Sequence, residues 1–158
     1  MADTNENSIF DPSARPIYTQ AQLHAYLDRI RLPTMYRTLL MKTSIYSLKT
    51  LVDYEDAMAV LSALIRHHLY DIPFENLDLH YSPSKHVCLD PDYIFDKVVG
   101  SGRGPRGRGG WCFEHNLLFA TVLRTLGYDV MSTGARVNEA VQPISGEVGW
   151  KGPKYSGW

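Results

Sequence analysis

Residues 108–127 read RGGWCFEHNLLFATVLRTLG, and this stretch decides the fold. Leu117, Leu118, Phe119, Ala120, Val122 and Leu123 leave almost no polar face, which predicts a central, buried helix from Cys112 to Leu126. Gly127 is its natural stop. Gly109 and Gly110 form a flexible turn that delivers Cys112 to the opening of that helix. Backbone N–H groups without helical partners and the positive end of the helix dipole both favour negative charge there. A free thiol titrates near 8.5, and helix N-termini or cationic neighbours lower such thiols to roughly 3.5–7.5. A glycine turn, Arg108 and a helix start are together the way a nucleophile is presented. The adjacent N–H groups would suit an oxyanion on a thioester intermediate. On these residues alone a second reading stays open: Cys112 as a small buried apolar side chain, the commonest fate of a free cysteine.

Upstream, Thr19 and Gln22 match a capping box that opens a helix with Leu23, Tyr26, Leu27 and Ile30 on one face, ended by Pro33. Residues 35–52 fit helix or loop. Tyr54, Met58, Leu61, Ile65 and Leu69 recur at helical spacing and predict the inward face of a further helix, with Asp53 as its cap. Pro73 closes it. Asp90 and Pro91 start a short helix whose Ile94, Phe95, Val98 and Val99 face inward. Residues 100–110 are glycine-rich loop. Tyr128 to Val137 reads as one strand, and a strand without a partner is marginal alone. The organisation expected is a loose arm over 1–15, a helical domain over 16–127 carrying the nucleophile, and the beginning of a truncated β domain over 128–158.

The whole chain of 158 residues carries 16 Lys+Arg against 17 Asp+Glu, with 44% apolar residues. That balance suits a globular core and argues against binding that depends on phosphate neutralisation. Two cysteines make no disulfide framework. No run approaches a membrane span, and MADTNENSIF at the start lacks the character of a signal peptide, so a cytoplasmic, reducing setting is expected.

Competing motifs are weak. Cys88 and Cys112 are far apart without a CxxC, so no metal site is expected. His67 and His68 are adjacent and point to different faces, reading as caps on the charged face near a helix end. The single GSGRGPRG run lacks interleaved aromatics for RNA and a following GK[ST] for phosphate. Cys88 reads as structural. His115, one turn beyond Cys112, reads as a packing partner rather than a base.

The run RGGWCFEHN resembles the signature around the nucleophilic cysteine of the arylamine N-acetyltransferase family. The upstream IPFENLDLHYS is similar to that family's second marker, and LDPDYIFDKVV and LLFATVLRTLGYDV fit the pattern around them. The likeness implies an α+β fold: a helical first domain, a β-barrel second domain on a cysteine-protease-like core, and an α/β lid. It implies ping-pong transfer, in which acetyl-coenzyme A acylates Cys112 and an arylamine or hydrazine then takes the acetyl group. Phe74 matches a residue lining the cleft, Glu75 and Arg108 a charged pair that buttresses it, and Asn116 the motif asparagine. Residues 101–106 depart from the pattern as an insertion, and Trp111 stands where a smaller aromatic is usual. The family's triad histidine and aspartate lie downstream, whereas no histidine follows His115 and no aspartate follows Asp129. The expectation is therefore the N-terminal half of such an enzyme, with impaired turnover. The alternative is a non-catalytic relic that pairs with a full-length partner through the edge of Tyr128–Val137. Oligomeric state is not readable.

Overall fold

The computed structural model describes residues 15–42, 54–100 and 107–135. Within them the chain forms six helices: α1 (Gln20–Arg29), α2 (Thr34–Lys42), α3 (Tyr54–Asp71), α4 (Leu77–Tyr81), α5 (Pro91–Val98) and α6 (Cys112–Thr125). The arm before Arg15, the cap at Asp53 and the insertion at 101–106 lie outside the described residues.

Local chemistry fixes several boundaries where the sequence puts them. The Thr19 hydroxyl accepts from the Gln22 N–H at 3.3 Å, and the Gln22 side chain accepts from the Thr19 N–H at 2.9 Å, which closes the capping box of α1. Asp90 Oδ1 accepts from the Tyr93 N–H at 2.8 Å, with Pro91 in the first turn of α5. Gly127 takes φ +82°, a left-handed conformation without cost only for glycine, and the Gly127 and Tyr128 N–H groups then satisfy the last carbonyls of α6.

The core gathers Leu23, Tyr26, Leu27 and Ile30 from the α1 region, Val60 and Leu64 from α3, Ile94, Phe95 and Val98 from α5, and Leu118 and Val122 from α6. Tyr18 ties the entering chain down. Its N–H donates to Thr125 Oγ1 at 2.8 Å, its hydroxyl donates to the Pro91 carbonyl at 3.1 Å, and its ring meets Phe95 at 4.9 Å.

Four expectations need correction. The stripe predicted to face inward on α3 faces out: Met58, Ile65 and Leu69 are exposed, while Val60, Leu64 and His68 turn inward. His68 is buried in the core rather than capping a charged face, because both its ring nitrogens find partners there. Helix α6 is buried on one side only. Its other side lines an open groove of about 600 Å³, with Leu117, Ala120 and Leu123 on the wall and residues 130–135 along the rim. Residues 128–135 of the expected strand adopt no strand, since no neighbouring segment offers a ladder among the described residues. The architecture described is helical; the only β pairing among the described residues is an isolated parallel bridge between Phe74 and Gly110.

Candidate functional site

Two short loops meet at the head of α6. The Gly110 N–H donates to the Pro73 carbonyl at 3.2 Å, and the Glu75 N–H donates to the Gly110 carbonyl at 3.0 Å. This stitch is possible only because position 109 has no side chain: a Cβ on Gly109 would lie 1.6 Å from the Pro73 carbonyl oxygen. Arg29 braces the turn from below, donating to the carbonyls of Val98, Asp71 and Gly107 at 3.0, 2.7 and 3.3 Å. Cys112 is the first residue of α6 and half-buried. Trp111 precedes it in extended conformation, and Glu114 Oε2 accepts the Trp111 N–H at 2.8 Å. The remaining N–H groups of the first turn lack helical partners by construction, leaving a positive helix end beside the sulfur.

Beneath this turn lies a buried ionic cluster. Arg108 donates to Glu75 Oε1 and forms an ion pair with Asp78 Oδ1, both at 2.8 Å. Lys97 donates to Asp78 Oδ2 at 2.7 Å and to Glu114 Oε1 at 2.6 Å, with Glu75 Oε1 at 3.7 Å. Glu75 Oε2 also accepts the Leu77 N–H at 2.6 Å, which starts α4. Burial alone would lower the Lys97 amine, but hydrogen bonds to Asp78 and Glu114 outweigh it and hold Lys97 above its ordinary value. Burial would likewise raise Asp78, and the Lys97 and Arg108 hydrogen bonds reverse it, keeping that carboxyl below its ordinary value. The cluster binds α4, α5, the glycine turn and α6 into one charged unit.

On the other side of the turn the contacts are uncharged. The Phe74 ring stacks on His115 at 4.0 Å with an interplanar angle of 6°. His115 Nε2 lies 3.3 Å from the Pro73 carbonyl, and His115 Nδ1 lies 3.0 Å from His68 Nε2. His68 Nδ1 lies 2.9 Å from the Tyr26 hydroxyl. Burial, and then His115 beside it, push His68 down to about 3. Burial also lowers His115, against hydrogen bonding to Pro73 and the charge of Glu114.

The structure thus brings together Phe74, Glu75, Arg108 and Cys112 at the meeting of the two loops. Asn116 is set apart, exposed on the rim of the groove beside Phe113. Sequence reasoning missed Tyr26, His68, Asp78, Lys97 and Glu114. Of these only Glu114 carried a usable signal, as an acidic residue at the third position after the cap. Among the described residues no group of three or more His, Cys, Asp or Glu converges to hold a metal ion, and no helix is long and apolar enough to cross a membrane.

The arrangement defines a helical unit that offers one thiol at a helix head behind a clamped glycine turn. A model of the N-acetyltransferase family matches residues 57–147, more than half of the chain, including Phe74, Glu75, Arg108 and Cys112. The protein belongs to the arylamine N-acetyltransferase family. It is 36% identical over 152 residues to the N-malonyltransferase FDB2 of Gibberella moniliformis, covering 94% of this chain and 41% of that protein. Over 80 residues it is 39% identical to the pineal gland arylamine N-acetyltransferase isozyme NAT-3 of Gallus gallus, covering 51% of this chain and 25% of the relative. Over 86 residues it is 43% identical to the arylamine N-acetyltransferase of Mycobacterium bovis, covering 52% and 27%. The chain therefore spans well under half the length of these relatives.

Proposed function

We propose that this chain carries the acyl-accepting cysteine of an amine N-acyltransferase, with Cys112 as nucleophile. The thiolate sulfur adds to the carbonyl carbon of an acyl-coenzyme A to give a tetrahedral oxyanion, which collapses to the Cys112 thioester as the carbon–sulfur bond to coenzyme A breaks, and the departing thiolate takes a proton from water. The nitrogen of an arylamine or hydrazine then attacks the Cys112 thioester, yielding the amide and the free cysteine. First-turn N–H groups of α6 would stabilise the oxyanion in both steps. Phe74, exposed and held flat on His115, would form the wall against which an aromatic amine lies. Glu75 and Arg108 would hold that wall to the glycine turn, and Asn116 would line the approach along the groove.

The observation that carries this reading is the stitch between residues 73–75 and 108–110, which joins the loop of Phe74 to the glycine turn that opens α6 at Cys112. The acyl donor is read as acetyl-coenzyme A from the family. The N-malonyltransferase, which aligns with nearly the whole chain, supports malonyl-coenzyme A as the competing donor. His115 faces His68 and Pro73, so it is not the base. With His115 engaged by His68 and Pro73, slow turnover after acylation is the expected behaviour of these residues. Compartment and domain limits follow the family reading: a cytoplasmic protein with a helical unit over 16–127.

Intact-mass measurement after incubation with acetyl- or malonyl-coenzyme A tests the proposal. A single adduct that disappears in Cys112→Ser is expected. An adduct that survives Cys112→Ser, or none with either donor, overturns it.

A further inference from the structure

A neutral imidazole has one N–H and one lone pair, and this fixes the sense of every hydrogen bond between Tyr26 and Pro73. The Pro73 carbonyl can only accept, so His115 Nε2 carries the proton and donates to it. His115 Nδ1 is then a lone pair, and His68 Nε2–H donates to it. His68 Nδ1 in turn accepts from the Tyr26 hydroxyl. The chain runs one way from α1, through α3 and α6, to the loop that holds Phe74, and every polar atom of both rings is satisfied. Tyr26, His68 and His115 are all buried, and edge-to-face packing of the two imidazoles at 5.1 Å leaves no room for a second donor between them.

We propose that Tyr26, His68 and His115 are positioning residues for Cys112. They form a neutral hydrogen-bond chain that fixes the Pro73 carbonyl and the Phe74 ring, and through them the glycine turn ahead of the nucleophile. The proposal rests on reading Cys112 as the acyl carrier. It adds a reason for His115 at this place: Pro73 is tied twice, by the Gly110 N–H and by His115, so the turn and the first turn of α6 grip the same carbonyl. The charged groups bearing on the pair are Glu114 on the same helix and Lys97 from α5, of opposite sign; Tyr26 faces it from α1 and the Phe119 ring meets His68 at 4.9 Å. Protonating His115 puts two donors face to face across the His68–His115 contact, and protonating His68 puts an N–H on Nδ1 that reverses its bond with the Tyr26 hydroxyl; either breaks the sequence of donors.

Nitrogen-15 NMR of the histidine rings at neutral pH reads the tautomers directly in the unaltered chain. Both His68 and His115 are expected with the proton on Nε2 and a bare Nδ1. In Tyr26→Phe, which keeps the ring and loses the hydroxyl, His68 is expected to populate both tautomers and the His115 signals to move. The rate of alkylation of Cys112 relative to Cys88 in the same molecule should then fall about fivefold, the consequence of one lost hydrogen bond. A proton on Nδ1 of either ring, or a charged ring, in the unaltered chain overturns the proposal. So does a folded Tyr26→Phe whose His115 signals and relative Cys112 rate are unchanged. Failure of Cys112 to take an acyl group bears on the acyl-carrier reading, while the ring tautomers decide the chain of positioning residues.

Discussion

Glu114 and His115 are neighbours in sequence and leave α6 in different directions, into two kinds of interior. Glu114 enters a cluster of two cations and three carboxylates, where each charge faces an opposite one, and Lys97 and Asp78 are held toward their charged forms by those partners. His115 enters a file of neutral groups, where the same burial removes charge and leaves only the direction of each hydrogen bond. Both hold the helix turn that bears Cys112, one by complementary charge and the other by matched donors and acceptors. The lesson is that burial sets no ionisation state by itself; the partners decide it.

The comparison breaks most severely on the charged side. Lys97→Met removes the amine shared by Asp78 and Glu114, leaving Asp78 with Arg108 and the buried Glu114 carboxylate with no cation and only the Trp111 N–H. Such a loss is expected to cost about 3–5 kcal/mol in urea unfolding. Gly109→Ala attacks the stitch common to both sides, since the added Cβ overlaps the Pro73 oxygen; a loss of about 3 kcal/mol in the same assay is expected.

Acid separates the two sides by pH. The folded His68 takes a proton only near 3, whereas an ordinary histidine does so near 6.5. Between those values the unfolded chain binds more protons, so His68 withdraws about 1.4 kcal/mol of stability per pH unit as pH falls below 6.5. Asp78 is shifted the other way. Its contribution is complete above its ordinary value of 3.8 and is lost only as pH drops beneath it. Urea midpoints measured against pH should therefore decline from about 6.5 downward, and His68→Asn should flatten that upper part of the decline. The smallest effect belongs to Phe74→Ala. That ring is 59% exposed, so stability should change by only about 1 kcal/mol, while the ratio of Cys112 to Cys88 alkylation should shift.

What could be read beforehand was whatever local chemistry decides. Thr19 with Gln22, Asp90 with Pro91, and Gly127 mark their helix ends through backbone groups within a few residues, and the structure places those ends there. The opening of α6 at Cys112 belongs with them. The inward face of α3 was misread because two apolar stripes share the helix. The one that reaches the core includes His68, which a count of apolar residues scores against. Its burial depends on Tyr26 and His115, 42 and 47 residues away in sequence. Lys97 was hidden for the same reason: it sits in the apolar run of α5, and its partners come from α4 and α6. Cys112 and Phe74 were legible as a motif, but the shared Pro73 carbonyl beneath them was not.

Two half-buried thiols share this chain, Cys112 at the head of α6 and Cys88 in the loop before α5, and only the first is placed for acyl transfer. Peptide mapping after a brief exposure to acetyl- or malonyl-coenzyme A measures it within a single sample. The thioester should appear on the peptide containing Cys112 and leave Cys88 free. Equal labelling of the two cysteines, or a bare Cys112, would contradict the assignment.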